Sequence, residues 1–547
     1  MSASDKKKLR KEENTAKLTE RQRQQQKEDK KLKVYTVTFI TSLVVIVCLA
    51  LGILFWQNYV NSGTAEKTTI TATVGDNKIN TVEMSYYYND AINNLYSSIY
   101  SGDNAYADYY FEAMGLDVGT KLTEQTNPET GDTWANYFID SALETAQNDY
   151  ALAALAQEAG FTLPEEEKTS LETSLSNIET SAMLSGYGTG DKYLQAIYGF
   201  GASLDSYRTY LERSALANAY YTHYYESLTF TNDDIRAEEK ENGVDAYNSY
   251  TYLDCYLSYT DFLEGGKEDE NGSKTYTDEE KDAARAKLKT AAEKLAAATT
   301  EEELKKLAEE AEVNESSQLA VNQETNDLHS SMDAKLADWM AAEDRKPGDI
   351  GMIENTAADD DKVVNGYHVV LFQSKNDNTE KMDNVRHLLV AYEGGHLDET
   401  TNETVYTEAE KTVAMNDAKK LLDEWKNGKA DEESFIALVK EHSDDEASVE
   451  DGGLYEDINH SSQYMETFRD WAIDPARKVG DSGLVETDYG VHIMYYVGNS
   501  DTSYRDYMIT EDLRSAALEK WYDEALKTMP IAKLDMSKLK ADVTLSY

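Results

Sequence analysis

Cysteine is scarce in this chain, and its scarcity excludes two kinds of structural cross-link. Cys48 lies inside a long apolar run and Cys255 lies far from it, so the two do not predict a disulfide framework. Two isolated cysteines are also too few to indicate a zinc site. The eight histidines lack a metal-ligand spacing such as H-x₃-H. We therefore expect neither a metal nor a cofactor.

Positive charge is scarce as well. The chain has 53 Lys or Arg against 103 Asp or Glu, a net charge of -50. The phosphate backbone of a nucleic acid would be repelled, which excludes nucleic acid as a partner. A length of 547 residues exceeds what one hydrophobic core supports, so about three or four domains are expected.

The N-terminal region departs from this acidic character. Residues 1–33 hold twelve Lys or Arg and six Asp or Glu, and residues 34–56 (VYTVTFITSLVVIVCLALGILFW) carry no charge. As a helix, these 23 residues would span about 34 Å, enough for a hydrocarbon core of about 30 Å. Cationic residues beside a span stay in the cytoplasm. The sequence thus predicts a cytoplasmic basic segment, one transmembrane helix in the cell membrane, and an extracellular remainder.

A cleaved signal peptide is the alternative interpretation of this region. It would have a shorter apolar core and a small-x-small cleavage site, which Gln57-Asn58-Tyr59-Val60 does not offer. A lipoprotein signal would place its cysteine at the end of the run, whereas Cys48 follows Val47 in the middle. An uncleaved anchor is therefore favoured.

Helical periodicity dominates residues 66–245. Many of the 39 tyrosines fall in the first half of the chain. They are read either as an amphipathic surface for unfolded chains or, with more weight, as side chains half buried between helices. Ser503–Lys527 is a further amphipathic helix, so residues 501–547 are expected to complete this helical module.

An internal repeat occupies the rest of the chain. Asp338–Asn355 and Asp470–Thr487 are identical at 8 of 18 positions without a gap, and a Gly-x-His follows each. Capping boxes at Thr277 and Thr407 open a long helix in both copies. These features predict two β-α-α-β domains, at 246–376 and 380–499.

Two histidines of the second copy, His387 and His492, lie in strand-like surroundings. A lone histidine in a strand is usually structural, but two in one domain favour a site. The sequences around them form an ordered set of motifs over about 115 residues. The set is Arg386-His387-Leu388-Leu389-Val390, His442-Ser443-Asp444-Asp445, Gly452-Gly453-Leu454, Phe468, Trp471, Gly480-Asp481-Ser482-Gly483, Val485-Glu486-Thr487 and Tyr489-Gly490-Val491-His492-Ile493-Met494.

Residues 384–498 thereby resemble the parvulin-type (PpiC) peptidyl-prolyl cis/trans isomerase domain of PrsA-like and SurA-like extracytoplasmic foldases. The resemblance implies an α+β fold with a twisted antiparallel sheet wrapped by helices. It also implies a catalytic site in which His387 and His492 lie side by side and face Asp445. Thr487 would bridge the histidines, and Phe468 would help to form the proline pocket.

Two departures from the family pattern affect the proline pocket. The position usually held by methionine aligns with Tyr464 or with Met465, and the second pocket aromatic is replaced by Ile473. These three residues, with Phe468, are the predicted substrate-binding group. The altered pocket predicts weaker affinity for proline.

The first repeat departs further and is read as a structural or client-binding domain. It keeps His368, but its first strand places Cys255 roughly where His387 stands, and its second helix places Asn314 opposite Asp445. The helical module upstream resembles, more loosely, the SurA-N-like chaperone domain of the family.

The leading hypothesis is therefore an anchored prolyl isomerase and chaperone that acts on unfolded or partly folded secreted proteins. The alternative is a holdase without catalysis that uses parvulin folds only to bind extended chains. The altered pocket favours the holdase, whereas the retained His387, Asp445 and His492 favour the enzyme.

Overall fold

The computed structural model of this chain describes residues 2–100, 104–268, 274–357, 362–397 and 403–545. The outermost positions of the predicted first and last segments, 1 and 546–547, lie outside the described residues. The helices, in chain order, are α1 (Ala3–Asn61), α2 (Thr64–Thr68), α3 (Thr81–Ile99), α4 (Asn104–Ala113), α5 (Trp134–Glu158), α6 (Glu165–Leu184), α7 (Gly190–Tyr198), α8 (Leu204–Ser227), α9 (Asn232–Asn242), α10 (Asp278–Ala296), α11 (Glu301–Glu309), α12 (Ala334–Ala341), α13 (Glu408–Asn427), α14 (Glu432–His442), α15 (Glu466–Ala472) and α16 (Tyr504–Lys527).

The strands of the described residues all pair in antiparallel fashion. The α+β class predicted from the sequence is confirmed. The strands are β1 (Ile70–Val74), β2 (Asn77–Asn80), β3 (Ser249–Ser258), β4 (Lys267–Glu268), β5 (Lys274–Thr275), β6 (Asn322–Leu328), β7 (Ile350–Thr356), β8 (Val364–Asn376), β9 (Lys381–Ala391), β10 (His396–Leu397), β11 (Thr404–Val405), β12 (Leu454–Ile458), β13 (Ser482–Glu486), β14 (Gly490–Ser503) and β15 (Ile531–Lys533).

Within the described part of the chain, one stretch of helix is long and apolar enough to cross a membrane. It is Lys33–Asn61 of α1, which contains the predicted span 34–56. Its length, its composition and its position near the N-terminus suit either an anchor or a signal sequence.

Beyond this helix, the chain forms two compact units. The first contains the chain up to Leu228 and from Ala517 onward, and the second is Thr229–Ala516. The change of unit precedes the predicted 245/246 boundary, because α9 packs within the second unit. There Ile235 of α9 shares a small apolar cluster with Tyr247 and Ile509.

The first unit is a helical bundle with a three-stranded sheet of order β15-β1-β2. Three consecutive tyrosines of α3 are fully buried in its core, whereas others, such as Tyr150 and Tyr207, are partly buried against it as expected. Each hydroxyl is satisfied, since Tyr86 contacts Ser206 and Tyr87 donates to Asp149, while Tyr88 donates to the carbonyl of Ala541. A buried hydroxyl with a partner avoids the desolvation penalty, which is how tyrosine can replace aliphatic core residues here.

The second unit contains both repeats, each with its own four-stranded sheet. The strand orders are β6-β3-β8-β7 and β12-β9-β14-β13, so corresponding strands take corresponding places. Both predicted capping boxes are confirmed: Thr277 and Thr407 accept from the helix backbone, while a glutamate three residues later accepts from theirs. In each sheet, one face packs on the helix pair α10 and α11 or α13 and α14, and the other on the single helix α12 or α15.

The residues identical in the two copies of the repeat build the same turn. Arg345 lies over the ring of Trp339 at 3.5 Å, and Arg477 lies over Trp471 at 4.1 Å. Gly483, like its counterpart in the first copy, faces the indole, where a Cβ would come within 2.8 Å of the ring nitrogen. The prediction that both segments share one conformation is confirmed.

A buried arginine joins the pieces of the second unit. Arg505, at the start of α16, is 3% exposed and binds Glu239 of α9 at 2.8 Å. Its remaining donors reach the Asn248 side chain and the carbonyls of Val244 and Asp377. The guanidinium therefore ties α9, the start of β3 and the link between the repeats to one point.

Replacing Arg505 with Met should destabilise the second unit by about 1–3 kcal/mol, because the carbonyls of Val244 and Asp377 and the Asn248 side chain would lose a buried donor. Urea unfolding of the chain beyond the apolar helix, compared with wild type, measures the change. Lys375→Met is the control, since Lys375 pairs with Asp245 in an ion pair whose side chains are 40% and 49% exposed. Such a pair contributes about 0–1 kcal/mol. Equal effects of the two substitutions would contradict the role assigned to Arg505.

Candidate functional site

The pairing of β9 with β14 brings the two strand histidines of the second repeat together. His387 lies opposite Met494, and His492 lies opposite Leu389. The histidines are therefore diagonal neighbours, and because side chains alternate along a strand, both project from the face that packs on α15. Both are buried, at 3% and 7% exposure.

A continuous chain of hydrogen bonds links these histidines to Thr487 and Asp445. The Nδ1 atoms of His492 and His387 are 3.0 Å apart. Thr487 Oγ1 lies 2.9 Å from Nε2 of His492, and Nε2 of His387 lies 3.0 Å from Oδ2 of Asp445. The structure thus brings together all four predicted catalytic residues.

The contacts fix which nitrogen carries each proton. A carboxylate only accepts, so Nε2 of His387 donates to Asp445 and its Nδ1 is left as an acceptor. His492 then donates from Nδ1, and its Nε2 accepts from the hydroxyl of Thr487. The backbone N–H of Tyr489 in turn donates to that hydroxyl at 3.2 Å. Every polar atom of the chain is satisfied while both imidazoles are neutral.

The loop after α14 holds Asp445 against β9. It pairs with the part of β9 that lies beyond the first residue of β12. Leu389 accepts from the backbone N–H of Asp444 and donates to the hydroxyl of Ser443. One residue short of β12, Gly453 accepts from the N–H of His387 at 2.9 Å. With φ +71, a Cβ on Gly453 would lie 2.1 Å from the carbonyl oxygen of His387, so glycine is required at this point of contact.

Burial and hydrogen bonds leave the two imidazoles neutral and the carboxylate charged. Burial lowers the pKa of His387, against the opposing effect of Asp445, and burial with the neighbouring imidazole lowers the pKa of His492 to about 4. Burial opposes ionisation of Asp445, but the hydroxyls of Ser448 and Tyr455 and the adjacent His387 outweigh it, so its pKa is lowered. Near neutral pH the site holds two neutral imidazoles and one carboxylate.

An open cavity of about 370 Å³ lies above this polar chain. Phe468 of α15 forms an apolar wall, with its ring edge-on to both imidazoles at 5.3 and 5.2 Å. Tyr464 and Met465, the alternatives for the pocket methionine, both line the cavity. Ile473 does not, since it packs behind α15 in the adjoining apolar cluster. The lining residues are His387, Leu389, Asp445, Tyr455, Gln463, Tyr464, Met465, Phe468, Thr487, Tyr489 and His492.

Tyr455 is a site residue that the sequence analysis did not identify. It lines the cavity, donates to Oδ2 of Asp445 at 3.2 Å and contacts the ring of Phe468. Ser448 donates to the same oxygen at 2.5 Å. Strand alternation after Gly453 could have placed Tyr455 on the histidine face, but the partner of Ser448 depends on a loop conformation that carries no periodic signal.

The first repeat has a different pair at the equivalent point, and the sequence alignment there was wrong. β3 pairs with β8 so that Tyr256 lies opposite His368, which puts Asp254, not Cys255, where His387 stands. Asp254 contacts Nδ1 of His368 at 2.8 Å. Cys255 is fully buried on the opposite face, among the residues packed on α10 and α11. Asn314 is engaged with the carbonyl of Thr260.

Comparison with known proteins agrees with this geometry. Residues 387–498 match the Rotamase family, described as the PPIC-type PPIASE domain. The matched range contains the hydrogen-bonded chain and the cavity, and the chain thus contains a parvulin-type peptidyl-prolyl isomerase domain. No curated protein matches the chain.

Solved structures of PrsA peptidylprolyl isomerases from Bacillus anthracis and Bacillus cereus are similar to part of this chain, at 22% and 20% identity and a TM-score of 0.17 each. PrsA from Bacillus subtilis is similar at 22% identity and a TM-score of 0.18. These similarities cover 28%, 28% and 30% of this chain and 59%, 50% and 54% of those chains. The chain thus spans little more than half the length of these PrsA structures.

The lowered pKa values of the two histidines predict that the isomerase domain loses stability in mild acid. The unfolded chain binds protons at its histidines below about pH 6.5, whereas buried His492 resists protonation until about pH 4. The contribution of His492 to the free energy of unfolding is fully present above pH 6.5 and is lost as the pH falls toward 4. At pH 5 the loss from His492 should be about 2 kcal/mol.

Calorimetric melting of the chain beyond the apolar helix, at pH 7 and pH 5, measures this loss. The His492→Gln variant is the control, because it removes one of the two groups and should show a smaller decrease. A melting temperature of the isomerase domain that did not change between the two values would contradict the prediction.

Proposed function

We propose that this protein is a membrane-anchored peptidyl-prolyl cis/trans isomerase and chaperone for secreted proteins. The observation that carries the proposal is the neutral imidazole pair bound to an ionised Asp445 beneath an aromatic cavity, inside a PPIC-type domain. The cavity volume is within the range of sites that bind small ligands and single side chains.

The reaction needs geometry and electrostatics rather than a covalent intermediate. Rotation about an X-Pro bond crosses a barrier of about 18–20 kcal/mol because resonance in the amide is lost. Phe468, Met465 and Tyr464 would hold the proline ring, leaving the amide above the imidazole pair. The charge of Asp445 would stabilise the twisted amide, in which the carbonyl carbon is more electrophilic. The imidazoles hold this carboxylate in place and transfer no proton.

The helical first unit is proposed to hold unfolded clients while the isomerase domain acts. Exposed apolar side chains on its surface support this role, among them Met183, Leu184 and Tyr109, which are 70%, 85% and 69% exposed. In the alternative, a pure holdase, this unit would provide the whole activity. The difference between the two hypotheses is whether Asp445 affects a rate.

We expect Asp445→Ala to slow isomerisation of a proline tetrapeptide by about tenfold to a hundredfold, because it removes the charge that faces the twisted amide. Phe468→Ala should instead raise the Michaelis constant, since it removes the apolar wall that holds the ring. His368→Ala is the matched control and should leave the rate unchanged, because its partner Asp254 belongs to the first repeat.

Rate and melting temperature are measured together for each variant. An unchanged rate for a folded Asp445→Ala protein would reject the proposed site. If that variant also still suppressed aggregation of an unfolded client, the holdase would be the better hypothesis.

The location of the protein is proposed from the basic residues 1–33 beside the apolar helix Lys33–Asn61. The N-terminus would be cytoplasmic and the chain beyond the span would lie outside. Protease added to intact cells or spheroplasts should digest both units and leave a short membrane-protected fragment. Complete protection that is lost only on lysis would show the opposite orientation, and release of the whole protein into the medium would indicate a cleaved signal.

A further inference from the structure

The cavity above the histidines combines aromatic rings with one carboxylate. Tyr455, Tyr464 and Phe468 form a connected group, with ring centroids 5.4–5.8 Å apart. Tyr489 adds a fourth ring at the rim and is 66% exposed. None of the described residues that line this cavity is Lys or Arg.

Among the described residues, no lysine or arginine pairs with the negative charge in this cavity. The groups that hydrogen-bond to the Asp445 carboxylate are uncharged near neutral pH. They are the imidazole of His387 and the hydroxyls of Ser448 and Tyr455. All three contacts are made to Oδ2. The side chain of Asp445 is 18% exposed, so its charge acts on the cavity through a partly desolvated medium, where it is screened less than at the surface.

Aromatic faces beside a carboxylate are a suitable environment for a cation. A guanidinium or ammonium group gains from the ring quadrupoles as well as from the full charge. We propose that this site selects X-Pro segments in which X, the residue before proline, is Lys or Arg. This inference rests on the proposed function, because it concerns the substrate of the same site.

The position before proline follows from the chemistry of the bond that rotates. Residue X carries the carbonyl of that bond, so its Cα is directly attached to the carbonyl carbon near Asp445. The proline ring, on the other side of the bond, packs against the apolar wall formed by Phe468 and Met465. The side chain of X is thereby the substrate group nearest to the carboxylate and to the exposed ring of Tyr489.

The test uses the whole chain beyond the apolar helix and three tetrapeptides of sequence Ala-X-Pro-Phe, in which X is Lys, Ala or Glu. At low ionic strength, kcat/KM should decrease in the order Lys, Ala, Glu, with Lys about tenfold above Glu. The ratio should fall as salt is added, since the difference is electrostatic. Equal values for Lys and Glu, or the reverse order, would overturn the inference and leave the isomerase intact. Acceleration of none of the three peptides would overturn the proposed function and, with it, the inference.

Asp445→Asn identifies the source of the preference and should reduce the ratio of Lys to Glu to about one. Glu456→Gln is the matched control, because it removes a charge next to Tyr455 from an exposed residue that does not line the cavity. It should keep the full ratio. If turnover of Asp445→Asn is too slow to measure, the affinities of the same peptides, from nuclear magnetic resonance titration, give the ratio. A preference that survived in Asp445→Asn, or disappeared in Glu456→Gln, would overturn the assignment to Asp445.

Discussion

The antiparallel pairing of β9 with β14 is the constraint on which the site depends. It joins residues 105 positions apart in sequence, and its register decides which side chains meet. A shift by one residue would turn one histidine to the face packed on the long helices. That face is filled by Leu388, Val491 and Ile493, all fully buried, so the shifted register would bury polar rings in an apolar core. Hydrophobic packing on one face of the sheet thus fixes the polar geometry on the other.

The sequence specified the fold more completely than it specified the site. Periodicity, capping boxes and the repeated Trp-Arg-Gly turn are local signals, and each led to the observed element. The residues His387, Asp445, Thr487 and His492 could be assembled because they lie within motifs of a recognised family. Tyr455, Ser448 and the true counterpart of His387 in the first repeat were missed. Each depends on a pairing register or on a loop path, which are properties of the folded chain rather than of a short segment.

The full burial of three consecutive tyrosines was also not predicted, for a related reason. The run Tyr86-Tyr87-Tyr88 gives no indication that three hydroxyls will each find a partner, one of them contributed by Ala541 near the other end of the chain. Asp149, the partner of Tyr87, is itself buried, and burial raises its pKa to about 6. The core of the first unit is therefore specified by polar contacts between distant segments, which sequence periodicity does not report.

The two repeats show how few side chains separate a supporting sheet from a candidate active site. Both have the same strand order, the same turn and a histidine that ends a Gly-x-His sequence in the corresponding strand, His368 or His492. In the first repeat, Asp254 occupies the position of His387 and contacts the histidine directly. An acid at that place ends the hydrogen-bonded chain after one step. In the second repeat, His387 both accepts from His492 and donates to Asp445, which moves the carboxylate outward to the edge of the cavity. An imidazole between the two partners is therefore what allows a negative charge to face the cavity.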